Sequence, residues 1–389
     1  MSRLDELIAE LCPDGVEYVK LSSICDIKRG ERVTKSQLIE DGIYPVFSGG
    51  VSPMGYFNKF NREENTITIA QYGTAGYVNW IDEKFWANDV CYSLFPKEVI
   101  NKRYLYFVLV NLQDYIYTLR IDAVPAHLPV DRLGNIKIPL PPLAVQQEIV
   151  RILDNFTELT AELTAELTAE LTARRKQYEY YRDLLLTFGD SVEYKPLGVV
   201  CDYVDYRGKT PRKVDVGIFL ITAKNIRKGF IDYNISREYI AVEDYEQVMK
   251  RGKPNVGDVL ITTEAPCGNV AQLDRDDIAL AQRVIKYRGK KGVINNSYLK
   301  YVLLGTEFQM KLLRAATGGT VKGIKGSILH KLTIPVPPIE EQERIVAILD
   351  RFDALCNDLT SGIPAEIEAR QKQYEYYRDK LLSFKEVTA

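Results

Sequence analysis

IPLPPLAVQQEIVRILDNFTELTAELTAELTAELTARRKQYEYYRDLLLTF, from Ile138 to Phe188, returns as IPVPPIEEQERIVAILD…KQYEYYRDKLLSF from Ile334 to Phe384, every matched pair offset by 196 residues without a gap. A second echo lies upstream, where VEYVKLSSICD (Val16 to Asp26) answers VEYKPLGVVCD (Val192 to Asp202) at an offset of 176. The segments between these echoes differ strongly in sequence. Two near-identical connectors with two unlike inserts imply one repeated geometry presenting two different surfaces.

Each connector reads as a long helix. Prolines fix φ and lack a donor, so Ile138 to Pro142 stays non-helical and the helix starts near Leu143. Ile149, Ile152, Phe156, Leu159 and Leu163 follow a 3, 4, 3, 4 seam; Leu163, Leu167 and Leu171 then step by fours, a stutter, before Tyr178, Tyr181, Leu185 and Phe188 resume the heptad. The second copy keeps the same places apolar at Leu355, Leu359, Ile363 and Ile367, then Tyr374, Tyr377, Leu381 and Phe384. Gly362 and Pro364 predict a kink or break near Ser361. A helix from Leu143 to Phe188 would run about 69 Å, and nothing of that length is stable alone in water. The simplest burial of both seams lays the two helices antiparallel as a coiled-coil spacer, with an insert at each end and a pseudo-twofold relation between the halves.

The inserts read as mixed α+β or α/β domains. Thr66 to Val78 and Asp258 to Leu273 are β-branched strand–turn–strand units with glycine turns, each followed by another strand and an amphipathic helix (Tyr104 to Leu119; Tyr298 to Leu313). The expected divisions are 1–137, 138–190, 191–333 and 334–389.

The chain of 389 residues has 46% apolar residues, enough for ordinary cores, and no apolar run long enough to span a bilayer. Its start is acidic and amphipathic, without a signal-peptide pattern, which places the protein in the cytoplasm as an expectation. Six scattered cysteines with only two histidines offer no zinc spacing; Cys25 and Cys201, equivalent in the repeat, read as core residues, and His127 and His330 as structural ones. A net charge of −2 hides a segregation: Val192 to Lys331 has about 24 basic against 15 acidic residues, Val16 to Asn135 about 13 against 14, and the connectors are acidic. A basic insert beside acidic helices suggests a polyanion ligand for one and protein partners for the other.

Basic, glycine-bearing loops suit phosphate, and nearby amides and guanidinium groups suit base edges. In the second insert these are Arg207, Lys209, Arg212 and Lys213; Lys224, Asn225, Arg227 and Lys228; Gln282 and Arg283; and Lys322 and Lys325. In the first they are Arg29, Arg32 and Lys35, then Gln71 and Tyr72, Asn79 and Asn88. The repeated KQYEYYRD motif offers two equivalent docking sites to two copies of one partner, through Tyr178, Tyr181 and Arg182 and through Tyr374, Tyr377 and Arg378. No phosphate-binding loop, metalloprotease motif, nucleophile elbow or N-P-P-[FYW] tetrapeptide is present, so no catalysis is expected.

Two variable inserts, two connectors with I-P-[LV]-P-P and Q-x-x-I-V-x-I-L-D (Gln146 to Asp154; Gln342 to Asp350), and a TAEL array after the first insert resemble the specificity subunit of type I restriction-modification systems. The array makes the chain most similar to the subgroup that has it in the central connector. The resemblance implies a noncatalytic reader of double-stranded DNA whose two target recognition domains each bind half of a split, asymmetric site. It further implies two modification subunits on the helices, two restriction subunits joining them, and no cofactor in this chain; S-adenosylmethionine, ATP and Mg2+ would sit on the partners. Two readings compete with it. A coiled-coil adaptor whose inserts bind proteins would show no DNA affinity, and a self-sufficient methyltransferase would bind S-adenosylmethionine alone.

Overall fold

A computed structural model describes residues 2–122, 124–189, 191–206, 211–319, 322–357 and 362–387. The chain divides into two compact units, 1–166 with 367–389, and 167–366. Each unit thus contains one insert and a part of both connectors.

The two inserts share one topology. In the first unit an antiparallel sheet orders Cys25–Arg29, Cys91–Pro96, Thr66–Ala70 and Val78–Ile81; in the second, Cys201–Asp205, Val284–Gly289, Val259–Thr263 and Cys267–Gln272 take the same places. A smaller sheet joins Tyr44–Phe47 in parallel to Trp86–Ala87, as Ile218–Ile221 joins Ile278–Leu280. The predicted strand–turn–strand units are both present. Their turns need Gly76 (φ 88°) and Gly268 (φ 90°), a left-handed backbone that residues with a Cβ seldom adopt.

The helix expected after each sheet is instead two. Lys102–Asn111 is followed by Gln113–Thr118, and Asn296–Leu304 by Thr306–Ala315, the latter broken at Gly305 with ψ 146°. The turn brings a glutamine back to the hairpin: Gln113 Nε2 donates to the Gly76 carbonyl (2.8 Å) while its Oε1 accepts from Val78 N–H (2.9 Å), and Gln309 Nε2 donates to the Gly268 carbonyl (3.0 Å). In each hairpin the carbonyl of a buried glycine is thereby given a partner by one glutamine side chain.

The first connector is helical from Leu143 to Leu185, 43 residues; the second forms Ile339–Asn357 and Ile363–Leu382. Ser361, where a break was expected, lies outside the described residues. Gln146 and Gln342 explain why the repeat carries glutamine. Each is fully buried; Gln146 accepts from Asn101 N–H (2.7 Å) and donates to the Pro141 carbonyl (2.7 Å), and Gln342 accepts from Asn295 N–H (2.8 Å) and donates to the Pro337 carbonyl (2.8 Å). This side chain closes the proline turn onto the next helix of the insert.

The expected seam is corrected. The buried face of the first connector runs Val145, Ile149, Leu153, by fours, with Ile345 and Leu349 buried in the second; Phe156 and Leu159 remain 37% and 61% exposed. The helices turn their deepest stripe toward the insert of their own unit, because that core offers more apolar surface than a lone partner helix. Connector meets connector within each unit at the flank of that stripe. Phe156 lies on Tyr377 and Thr157 Oγ1 is 3.1 Å from the Tyr374 hydroxyl, an antiparallel register; Phe352 lies on Tyr181.

Cys25 and Cys201 are core residues, and burial pushes both thiols up to about 12. His330 is structural, stacked on Tyr203 and 2.7 Å from the Tyr287 hydroxyl.

Candidate nucleic-acid interface

At the end of each main sheet, three backbone segments meet in one pattern. In the first unit Gln71 N–H donates to the Val90 carbonyl (2.9 Å), Leu128 N–H donates to the Gln71 carbonyl (2.9 Å), and Tyr72 pairs with His127. In the second, Thr263 N–H donates to the Arg283 carbonyl (2.9 Å), Ile324 N–H donates to the Thr263 carbonyl (2.9 Å), and Glu264 pairs with Gly323. The frames agree while the side chains do not. Tyr72 stacks on His127 with ring centroids 5.5 Å apart, and nearby Arg29 lies over the Tyr92 ring. The corresponding place in the second unit is an open polar cleft of about 600 Å³ lined by Thr263, Glu264, Gln282, Arg283, Thr317, Gly318, Gly323, Ile324 and Lys325.

The structure therefore joins Gln282, Arg283 and Lys325, which are remote in sequence, and sets exposed Lys322 in the same loop. It joins Gln71 and Tyr72 likewise, with Gln71 buried. Sequence reasoning missed His127 and Glu264 as members of these clefts. The bridges from Ile121 to His127 and from Thr317 to Gly323 that carry the loops back leave no periodic mark in the sequence.

Asn88 and Asn225 are corrected as direct readers. Asn88 is buried, accepting from Val33 N–H (2.9 Å) and donating to the Val33 carbonyl (3.0 Å), so it fixes the loop bearing exposed Arg32 and Lys35. Asn225 is fully buried, accepting from Thr222 N–H (2.9 Å) and donating to the carbonyls of Asp232 (3.0 Å) and Ser236 (2.9 Å). It holds the turn that exposes Lys224 and Lys228, with Arg227 half-buried beside them. An amide with its donors and acceptor so engaged has nothing left for a base edge.

Arg212 is exposed; Lys213 is exposed and paired with Glu238 at 2.7 Å. Asn79 sits mid-strand opposite Thr68. Arg207 and Lys209 lie outside the described residues.

The docking motif is corrected in part. Tyr178 and Arg182 are buried, the guanidinium over the Tyr178 ring and paired with Asp183 at 2.9 Å; Arg378 is largely covered, with Nε donating to Asn111 Oδ1 (3.0 Å), and Tyr374 is half-buried. These side chains face their own unit. Tyr181 and Tyr377 keep one exposed flank, and edge-on against them stand Tyr180 and Tyr376, 64% and 62% exposed and equivalent in the repeat.

Among the described residues no cluster of histidine, cysteine or carboxylate side chains suits a metal ion, and no helix is long and apolar enough to cross a membrane. The sequence profile of the type I restriction modification DNA specificity domain matches twice, at residues 13–173 and 190–369. A putative type I restriction enzyme specificity subunit of Haemophilus influenzae is 34% identical over 384 residues, covering 95% of this chain and 96% of its own. The specificity subunit of the type I restriction enzymes EcoR124I and EcoR124II of Escherichia coli is 35% identical, covering 99% and 97%. A solved structure described as the basis of complex assembly and conformational transition of the type I restriction-modification system shares the fold at a TM-score of 0.64, with 17% identity and 95% and 98% coverage. The chain belongs to the type I restriction-modification DNA specificity family, whose members recognise DNA and leave catalysis to other subunits.

Proposed function

We propose that the two units each read one half of a bipartite, asymmetric double-stranded DNA site, in the cytoplasm, as part of a larger modification and restriction assembly. One observation carries this reading: the same three-segment backbone frame closes the end of both main sheets, with Tyr72 and His127 on one and Glu264 and Gly323 on the other. Identical frames with unlike side chains suit two readers of different sequences. The second unit, rich in Lys and Arg, supplies most of the phosphate contacts, from Lys224, Lys228, Lys322 and Lys325 and from Arg207, Lys209 and Arg212.

Two modification subunits dock on the apolar stripe, exposed except for half-buried Phe352, that recurs in each unit. In one it comprises Phe156, Leu159, Tyr376 and Tyr377; in the other Phe352, Leu355, Tyr180 and Tyr181. An offset of 196 relates each pair of positions, so one partner surface fits both. S-adenosylmethionine, ATP and Mg2+ belong to these partners and to the two restriction subunits that complete the endonuclease.

Gel-shift and crosslinking with and without the modification subunits test the reading. Sequence-dependent binding by the assembled complex is expected, with Tyr180→Asp and Tyr376→Asp each removing one modification subunit. A complex that bound all sequences alike would overturn the DNA reading; undisturbed assembly by both variants would overturn the docking surface.

A further inference from the structure

We propose that Arg283 reads a guanine in the half-site bound by the second unit, and that Glu264 is the positioning residue that aims it. This rests on the DNA reading above and adds the base and the device. Arg283 is one of three residues other than glycine with positive φ among those described, at 71°, and Ala265, which follows Glu264 in the chain, is another, at 49°. Such backbone is strained for a residue with a Cβ and persists where the surroundings enforce it. Here the Thr263 N–H on the Arg283 carbonyl enforces it, and the side chain leaves toward the cleft it lines.

Glu264 Oε2 stands 3.4 Å from Arg283 Nε, with both side chains about half-exposed. A carboxylate in a surface meant for DNA is repelled by phosphate, and it would weaken an arginine that served only as a phosphate clamp. It is explained if it holds Nε, leaving the guanidinium's far edge to the O6 and N7 acceptors of guanine in the major groove, a bidentate geometry that lysine cannot copy. Gly318 and Gly323 rim the cleft and let backbone approach the duplex. The equivalent of Arg283 in the first unit is Val90, whose carbonyl accepts from Gln71 N–H. The device therefore belongs to one half-site alone.

The assembled complex with its modification subunits is tested on duplexes substituted at every position of the target found by methylome sequencing. Arg283→Ala and the charge-preserving Arg283→Lys are expected to lose roughly 10- to 100-fold of discrimination at one G·C pair, in one half-site only, with the salt dependence of Arg283→Lys unchanged. Glu264→Gln is expected to relax the same pair while raising affinity for unrelated DNA. A uniform loss of affinity over all sequences in Arg283→Ala, with the salt slope falling by about 1, would make Arg283 a phosphate contact and end the proposal. A change confined to affinity in Glu264→Gln would end the positioning role. If the unaltered complex itself showed no sequence preference, the underlying DNA reading would fail instead.

Discussion

Phe156 stacks on Tyr377 with ring centroids 5.8 Å apart and planes 22° from parallel, and Phe352 stacks on Tyr181 at 5.7 Å and 27°. Adding 196 to Phe156 gives Phe352, and adding it to Tyr181 gives Tyr377. The two stacks are therefore one contact made twice, each inside its own unit. Such an offset pair is worth about 0.5–1.5 kcal/mol beyond the area it buries. Double-mutant cycles on Phe156 with Tyr377 and on Phe352 with Tyr181, read by urea unfolding, should return coupling energies in that range and equal within error. Unequal values would show that the repeat in sequence is not a repeat in energy.

Gln146 is the cheapest place to break the joint between connector and insert. Gln146→Leu leaves the Asn101 N–H and the Pro141 carbonyl buried without partners. A loss of about 2–4 kcal/mol is expected, with Gln342→Leu costing the same in the other unit. Hydrogen exchange at Asn101 and Asn295 should rise in the respective variants.

Asp258 gathers two cations in the second unit. Arg288 donates to both carboxylate oxygens (2.7 Å each), and Lys286, buried with it, lies 3.4 Å away; desolvation holds the Lys286 pKa below its usual value. Asp258→Asn is expected to cost about 3–5 kcal/mol, because it strands buried positive charge, whereas Lys286→Met should stay near neutral. The sign with pH follows from the lowered pKa. Between that value and the ordinary one, the unfolded chain holds more protons than the folded one, so this residue's contribution improves as pH rises. The stability difference between Lys286→Met and the parent should shift in favour of the parent at alkaline pH, measured by denaturation over pH 7–10.

Salt separates phosphate contacts from the rest. Replacing Lys224 and Lys228 by alanine should lower the slope of log K against log salt by about 0.9 per residue and weaken all sequences alike. Their turn is held by buried Asn225 and should survive the change. An unchanged slope would move the DNA path away from this turn.

The TAEL array offers a length test. Four residues add about 6 Å and about 40° to a helix, while one base pair adds about 3.4 Å and about 34–36° to B-DNA. Deleting one TAEL unit should leave both half-site sequences intact and change the unread spacer by one base pair or so. Methylome sequencing decides it; altered half-site bases would refute the array as what sets the spacer.

Much of this fold is written in the sequence because the repeat is. Proline turns fix where the connectors start, glycines 76 and 268 fix the hairpins, and the second copy checks each reading against the first. The seam was legible only in part. A heptad marks which residues are apolar, but not which of two apolar surfaces a helix turns toward, and the insert cores won over the facing helix at Leu153 and Leu349. The candidate interface was legible as loops and not as a site. Composition marked Gln282, Arg283 and Lys325; their meeting with Glu264 depends on two chain returns, a shorter one to Gln282 and Arg283 and a much longer one to Lys325. Asn88 and Asn225 misled for a physical reason, since an amide that can read a base can equally fasten a loop.

Val16 N–H donates to the Lys385 carbonyl (2.8 Å), and Val387 N–H to the Val16 carbonyl (3.0 Å). In the second unit the residues matching Val16 and Lys385 are Val192 and Gly189, where Val192 N–H donates to the Gly189 carbonyl (3.3 Å) and the covalent chain itself links the two. What the second unit achieves with peptide bonds, the first achieves with a short rung of β-ladder. A polypeptide joined near that rung by a short linker and opened between Gly189 and Val192 would have each hairpin and each glutamine clasp still within reach. Which reader is synthesised first is then arbitrary as far as the architecture is concerned.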